Sequence, residues 1–158
     1  MWGCLGIAYK VGSPGMAPTL QVGDGFFANP LSYRSDPIQR FDIVVFEAPE
    51  SSKKIRKVTG SVRYVQRIIG LPGERLEIKG NRVFINGEYL EEPFEKVVDE
   101  KDPRRDFPPV TIPENEYFLM GDNRPESEDS RYSQPVTVKK AEIYSKVIKI
   151  LPEYYKDQ

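Results

Sequence analysis

Between Leu76 and Tyr89 the chain is built to reverse twice within a dozen or so residues. Leu76-Glu77-Ile78 alternates apolar and charged side chains, Gly80-Asn81 follows, and Val83-Phe84-Ile85 runs straight into Asn86-Gly87. A period of two puts successive side chains on opposite faces of a strand. Asn-Gly between apolar strands supplies the positive φ angles that a two-residue hairpin turn requires. Two such turns in succession specify an antiparallel meander. The same pattern recurs along the chain. Phe26 and Phe27 follow the turn Gly23-Asp24, and Ile43-Val44-Val45-Phe46 is an apolar run too short for a helix and rich in β-branched residues. Residues 62–69, 117–120, 136–138 and 143–151 form further strands. With 14 prolines and 12 glycines in 158 residues, helical periodicity is weak throughout, apart from one short turn near Lys139 to Glu142. The expected fold is mostly β, a barrel-like antiparallel sheet with a hairpin-rich insertion. Residues 29–39 and the lysine-rich residues 49–59 read as polar loops, residues 91–109 as a charged surface excursion, and residues 152–158 as a polar tail.

The length suits about one domain, here expected over residues 9–151. A net charge of −1, with 39% hydrophobic and 30% charged residues, describes a globular chain with material for a core. That balance gives no call for nucleic acid or an anionic membrane surface. A single cysteine, Cys4, excludes an internal disulfide, and with no histidine there is no structural zinc pattern; no metal or cofactor is expected. The absence of histidine also excludes Ser-His-Asp and Cys-His nucleophile activation, leaving a lysine base or the N-terminal amine. No run approaches the ~20 apolar residues of a membrane span. Residues 1–8 form a short apolar stub: a disordered start, a first strand, or the end of a removed membrane anchor.

Three segments carry the candidate chemistry. Ser13-Pro14-Gly15-Met16-Ala17-Pro18-Thr19-Leu20 has too much proline and glycine for a helix and must be a rigid turn. It is either a connector plugged by Met16 or a turn whose backbone N–H groups face a ligand. The second is Tyr64 to Glu74, which runs from the strand at residues 62–69, its apolar run interrupted by Arg63, Gln66 and Arg67, into the tight turn Gly70-Leu71-Pro72-Gly73. Gly121-Asp122-Asn123-Arg124, followed by Ser127 and Asp129-Ser130-Arg131, sets charges of both signs around small hydroxyl residues directly after a buried strand. Such a network either braces the sheet or orients catalytic groups.

In order, Met16-x-Pro18-Thr19-Leu20, Val22-Gly23-Asp24, Asp42 to Phe46, Arg67-Ile68-Ile69-Gly70-Leu71-Pro72-Gly73, Asn86-Gly87, Glu92-Pro93, Pro113-Glu114, Tyr117-Phe118 and Gly121-Asp122-Asn123-Arg124-x-x-Ser127-x-Asp129-Ser130-Arg131 resemble type I signal peptidases. These are the bacterial serine endopeptidases that remove signal peptides from exported proteins. The resemblance covers about Tyr9 to Ile150 and implies a Ser–Lys dyad on a β-rich fold. In that family a serine directly precedes the methionine of the first motif and a lysine directly precedes the arginine of the second. Here those positions hold Gly15 and Gln66. Glycine has no side chain to attack with, and an amide cannot accept the proton that a lysine of depressed pKa would take. Losing a nucleophile or its base costs on the order of 10⁶ in rate, so the chain is expected to be inactive as a peptidase. Lys53, Lys54 and Lys57 are expected to be solvated and unsuited to replace the base.

The resemblance further puts Ser13 at an oxyanion-hole position, Ser127 beside the lysine position, and Asp129 with Arg131 on a bracing ion pair. It puts Tyr9, Val11, Tyr64 and Val65 on the walls of shallow pockets for small residues; as plain sequence those four read equally as strand core. Family glycines are replaced at Phe41, Gln134 and Ser145, so local backbone there is expected to differ. The implied substrate is the signal peptide, or another extended peptide, of exported proteins. The implied location is the extracytoplasmic face of the bacterial cytoplasmic membrane, reached through an anchor. Two functions follow: a signal peptidase domain without its dyad, or a non-cleaving relative that holds an extended peptide or pilus subunit as an assembly factor. A self-cleaving repressor-like domain, which also uses Ser and Lys, is disfavoured by the Gly121–Arg124 box and the lack of a DNA-binding region.

Overall fold

The computed structural model describes residues 6–152. Cys4 and the tail beyond residue 152 lie outside the described residues, as do the first five residues of the expected stub. Ile7 and Ala8 already belong to the first strand. Eleven strands are present among the described residues: β1 (Ile7–Lys10), β2 (Gly25–Asn29), β3 (Ile43–Glu47), β4 (Arg63–Gly70), β5 (Arg75–Lys79), β6 (Arg82–Ile85), β7 (Glu88–Tyr89), β8 (Phe107–Thr111), β9 (Glu116–Met120), β10 (Val138–Lys139) and β11 (Ile143–Leu151). They form two antiparallel sheets, one in the order β1-β2-β11-β3-β4-β9-β10 and one in the order β7-β6-β5-β8. The mostly β, antiparallel expectation is met.

The meander is as its turns dictate. Gly80 and Asn81 have φ of 56° and 63°, and Asn86 and Gly87 have 51° and 85°. These are the left-handed angles at both central positions that fit a right-twisted hairpin. Strands β5 and β6 pair from Leu76↔Ile85 to Lys79↔Arg82. Strand β3 is apolar from Ile43 to Phe46 because both its faces are covered there. Val44 and Phe46 enter a core with Ile68, Leu119 and Ile143. Val45, on the other face, packs with Val11, Met16, Leu20 and Phe26. A third cluster, with Ile69, Leu76, Ile78, Ile112 and Phe118, fills the junction with the smaller sheet. Arg40 spans the same junction, donating to both the Glu74 carboxylate and the Ile69 carbonyl.

Two loop expectations are corrected. Ser32–Ser35 is a short helix, α1. Glu50–Arg56 is a second helix, α2, with Glu50 in its first turn and Lys53, Lys54 and Arg56 in its last, the charge arrangement that suits a helix dipole. Lys53 is correspondingly not solvated. It is buried, 2.5 Å from Glu47 and 3.0 Å from Glu50. Ser61 Oγ, the Val62 N–H and the Tyr144 hydroxyl also donate to Glu47.

The three replaced glycine positions differ among themselves. Phe41 keeps a positive φ of 71°, which is rare for a bulky residue. It is held there by its N–H to the Ile68 carbonyl, its own carbonyl to Arg67, and an edge contact with Phe94. Gln134 precedes a cis proline. Ser145 is buried in β11, and its hydroxyl has no hydrogen-bond partner among the described residues.

Two stability predictions follow from these contacts. Ser145→Ala removes an orphaned buried hydroxyl and is expected to raise unfolding free energy by about 1 kcal/mol in urea titration. The Glu47 carboxyl is lowered from its ordinary 4.5 to about 2, chiefly by its hydrogen bond to Lys53. A carboxylate with a depressed folded-state pKa stabilises the fold above its unfolded pKa and loses that contribution on protonation. The stability difference between wild type and Glu47→Gln should therefore be constant above pH 4.5 and shrink as pH falls towards 2, measured by urea midpoints across that range.

Candidate functional site

The Ser13 to Leu20 segment contains a 3-10 turn at Pro14–Met16. Its plug is real: Met16 and Leu20 are buried in the core under β3. The turn is also fastened to the Gly121–Arg124 segment. Asn123 N–H donates to the Gly15 carbonyl at 3.1 Å, and Asn123 Nδ2 donates to the Pro14 carbonyl at 3.1 Å. Thr19 Oγ1 donates to Asp122 at 2.6 Å. The approach is so close that a Cβ on Gly121 would fall 2.2 Å from the Gly15 carbonyl oxygen and 2.2 Å from Ser127 Oγ. Only glycine permits it.

Asp122 has no solvent exposure and takes Arg67 of β4 in a bidentate pair, Nε at 2.9 Å and Nη2 at 2.6 Å. The guanidinium lies over the Phe94 ring, 3.9 Å from its centroid. Asp129 accepts from the Gly121 N–H at 3.1 Å and pairs with Arg131 at 2.8 Å. Arg131 in turn donates to the Arg124 carbonyl at 2.6 Å. Ser130 Oγ accepts from the Leu119 N–H.

A groove of about 320 Å³ opens beside this network. Its lining brings together Ser13, Gly15, Gln66, Ser127, Tyr9, Val11, Tyr64 and Val65, eight of the ten residues singled out from sequence. Asp129 and Arg131 stand behind it. Val11 serves both alternatives, belonging to the buried cluster and lining the groove, while Tyr9 stacks on Phe26 at 5.2 Å between centroids. Gln66 is 5% exposed, and its Nε2 donates to the Glu128 carbonyl at 2.6 Å. Position 15 has room: a Cβ there would meet Ser127 Cα at 3.6 Å, Ser127 Oγ at 3.7 Å and the Glu126 carbonyl at 3.8 Å, all ordinary contacts. None of Lys53, Lys54 and Lys57 lines the groove beside Gln66. Lys53 is bound to Glu47 and Glu50, which raise its pKa. Among the described residues no cluster of acids, cysteine or histidine is suited to a metal ion.

Both sides of the groove are strand edges. Among the described residues, strand β1 pairs with no strand but β2. Strand β4 pairs with β3 over its first half, but with β9 only from Arg67 onward. The outer edge of Arg63 to Gln66 therefore has no strand partner among the described residues. Arg63 Nη1 bridges the two sides by donating to the Tyr9 hydroxyl at 2.7 Å.

Several residues around the site were not singled out from sequence. Glu128 follows Ser127 directly; its carboxylate accepts from Arg56 of α2 and from Tyr64, each at 2.9 Å. Burial, and then Glu128, push the Tyr64 hydroxyl pKa up. Residues 91–109, read as a surface excursion, run into β8 from Phe107 onward and supply direct supports. Glu92 pairs with Arg124, the Val97 N–H and carbonyl bond Asp122 and Arg124, and Arg104 donates to the carbonyls of Ser127 at 2.7 Å and Pro125 at 2.6 Å. Buried Asp102 holds Arg104 at 3.0 Å. In sequence these look like a solvated charge run; the distant partners of Arg104 are backbone carbonyls, which no local pattern announces.

With this geometry in view, comparison with known proteins is specific. The family model for signal peptidase, peptidase S26, matches residues 1–151. Signal peptidase I V of Bacillus subtilis (strain 168) is 37% identical over 143 residues, covering 84% of this chain and 79% of the relative. A signal peptidase I of Leptolyngbya laminosa is 35% identical over 125 residues, covering 79% of this chain but 59% of the relative. The chain thus spans about three-fifths of that relative's length. The crystal structure of a signal peptidase I from Enterococcus faecalis V583 matches with a TM-score of 0.56 at 34% identity, over 72% of this chain and 98% of that one.

The Arg67–Asp122 pair yields a sharp test. Asp122→Ala strands a buried guanidinium and should cost about 3–5 kcal/mol of unfolding free energy, read by urea denaturation.

Proposed function

The chain belongs to the signal peptidase, peptidase S26 family, and from that membership we propose that it holds extended peptides of exported proteins in the family groove without cleaving them. The observation that carries this is the groove floor. Gly15 presents no side chain next to Ser127, and Gln66 presents a neutral amide bonded to the Glu128 carbonyl. The turn, the Asp122 and Asp129 ion pairs and the two open strand edges all stand around it. An extended peptide can add its backbone to the free edge of β4 or β1, with alternate side chains entering the groove. In the same proposal, Ser13 and Ser127 are hydroxyl donors to the bound backbone, and Tyr9, Val11, Tyr64 and Val65 form its side-chain pockets. The domain works at the extracytoplasmic face of the bacterial membrane. Among the described residues no helix is long and apolar enough to cross a membrane.

Restoring the missing groups tests this directly. Position 15 accepts a side chain at ordinary contact distances. A lysine at position 66, nearly buried as Gln66 is, would lose solvation and with it part of its proton affinity. Gly15→Ser with Gln66→Lys should convert a chain without measurable signal-peptide cleavage into one that cleaves a preprotein, a gain on the order of 10⁶ if both groups act together. Wild-type turnover comparable to that of an intact relative would refute the proposed lack of cleavage. A folded but silent double variant would refute retention of the catalytic geometry.

A further inference from the structure

The charged residues that line the groove are Lys10, Arg56, Arg63 and Glu128. Three are cations and one is an acid, on a chain whose net charge is −1. The single acid is committed, since Glu128 accepts from both Arg56 and Tyr64. Arg63 stands apart from the other site residues. It lies at the open end of the β4 edge, exposed, and its guanidinium is 4.6 Å above the Tyr144 ring while Nη1 donates to the Tyr9 hydroxyl. Both contacts fix its direction with neutral groups. The natural carboxylate for it is Glu47, its cross-strand neighbour in the β3–β4 ladder. That carboxylate is taken by Lys53, Ser61, the Val62 N–H and Tyr144. No carboxylate lies within ion-pair distance of Arg63 among the described residues.

Resting on the reading of the groove as a peptide site, we propose that the occupant is an extended peptide bearing a carboxylate side chain, read by Arg63 about three residues along the strand from the residue level with Gln66. The offset comes from the strand itself. Arg63 and Gln66 are three residues apart in β4, and a peptide laid along that edge advances by the same ~3.3 Å per residue. Arginine suits the task because its planar fork can hold a carboxylate in two parallel hydrogen bonds. Tyr9 and Tyr144 hold the fork in place before the peptide arrives, which lowers the ordering cost of binding. The groove's excess of cations favours the same ligand class at longer range, an attraction that salt screens.

The probe is a set of fluorescein-labelled decapeptides of alanine and valine, C-terminally amidated, with one glutamate moved along the chain and a glutamine counterpart at each position. Binding to the full chain is read by fluorescence anisotropy. At one position glutamate should bind about tenfold tighter than glutamine, and the preference should fade between about 0.05 and 0.5 M salt. Arg63→Gln should erase that preference; Arg63→Lys should keep part of it. An amidated terminus excludes a terminal carboxylate as the source, and a free-acid version of the all-neutral peptide that binds as tightly would overturn the side-chain assignment. Equal affinity of glutamate and glutamine peptides at every position, or a preference that survives Arg63→Gln, overturns the proposal and leaves peptide binding standing. Failure of every peptide to bind overturns both.

Discussion

The buried pair between Arg67 and Asp122 is the contact on which the site's geometry rests. Two charges withdrawn from water are costly unless their remaining hydrogen-bonding capacity is filled. Here two hydrogen-bonding partners and one aromatic ring from three other parts of the chain surround it. Asp122 accepts from Thr19 of the proline-rich turn as well as from both guanidinium nitrogens, and Arg67 donates to the Phe41 carbonyl and lies over the Phe94 ring. The pair therefore fixes the turn, β4, the end of β9 and the segment after β7 with respect to one another. The unusual φ of Phe41 belongs to the same arrangement, because its carbonyl must face Arg67. Gly121 follows from it too: with Asp122 pinned and the turn tied down by Asn123, no side chain fits between the Gly15 carbonyl and Ser127.

None of these contacts uses the side chain at position 15 or at position 66. The turn is held by Thr19, by backbone atoms and by the Met16 plug, so a glycine at position 15 leaves its conformation supported. At position 66 a lysine would place an ammonium in a nearly buried site, a cost that enzymes bear to depress a pKa. Gln66 carries no charge and still donates a 2.6 Å hydrogen bond to the Glu128 carbonyl. The two substitutions fit a groove whose architecture is independent of its chemistry.

How much of this was legible in the sequence depended on how local each feature's cause is. The meander was legible because Gly80-Asn81 and Asn86-Gly87 require left-handed angles whatever surrounds them. Strand β3 was legible because a four-residue apolar run with β-branching has few alternatives. Helix α2 was missed because seven residues carry too little periodicity, and its anchoring is tertiary, through Lys53 to Glu47 and the Gln134 N–H to Ser51 Oγ. The charge network after β9 was visible, but sequence could not decide between a brace and a catalytic support, and the structure gives it both positions: Asp129 and Arg131 brace from behind while Ser127 lines the groove. Arg104 was illegible for a plainer reason. Its partners are carbonyl oxygens, and every residue has one of those.

The electrostatics of the groove add a step that the dyad positions alone do not give. A peptidase gains rate only from interactions that strengthen in the transition state, and gains nothing from holding the ground state tightly once substrate saturates it. A binder has the opposite requirement, because its function resides in the ground-state complex. Arg63, exposed at the rim, held by Tyr9 and Tyr144 and left without a carboxylate while Glu47 serves Lys53, is a ground-state contact, three residues along β4 from Gln66. Its charge serves any chain that holds a peptide, whether or not it cuts. The open edge of β4 supplies backbone pairing to any extended peptide. Selectivity among such peptides then falls to the side chains at the rim.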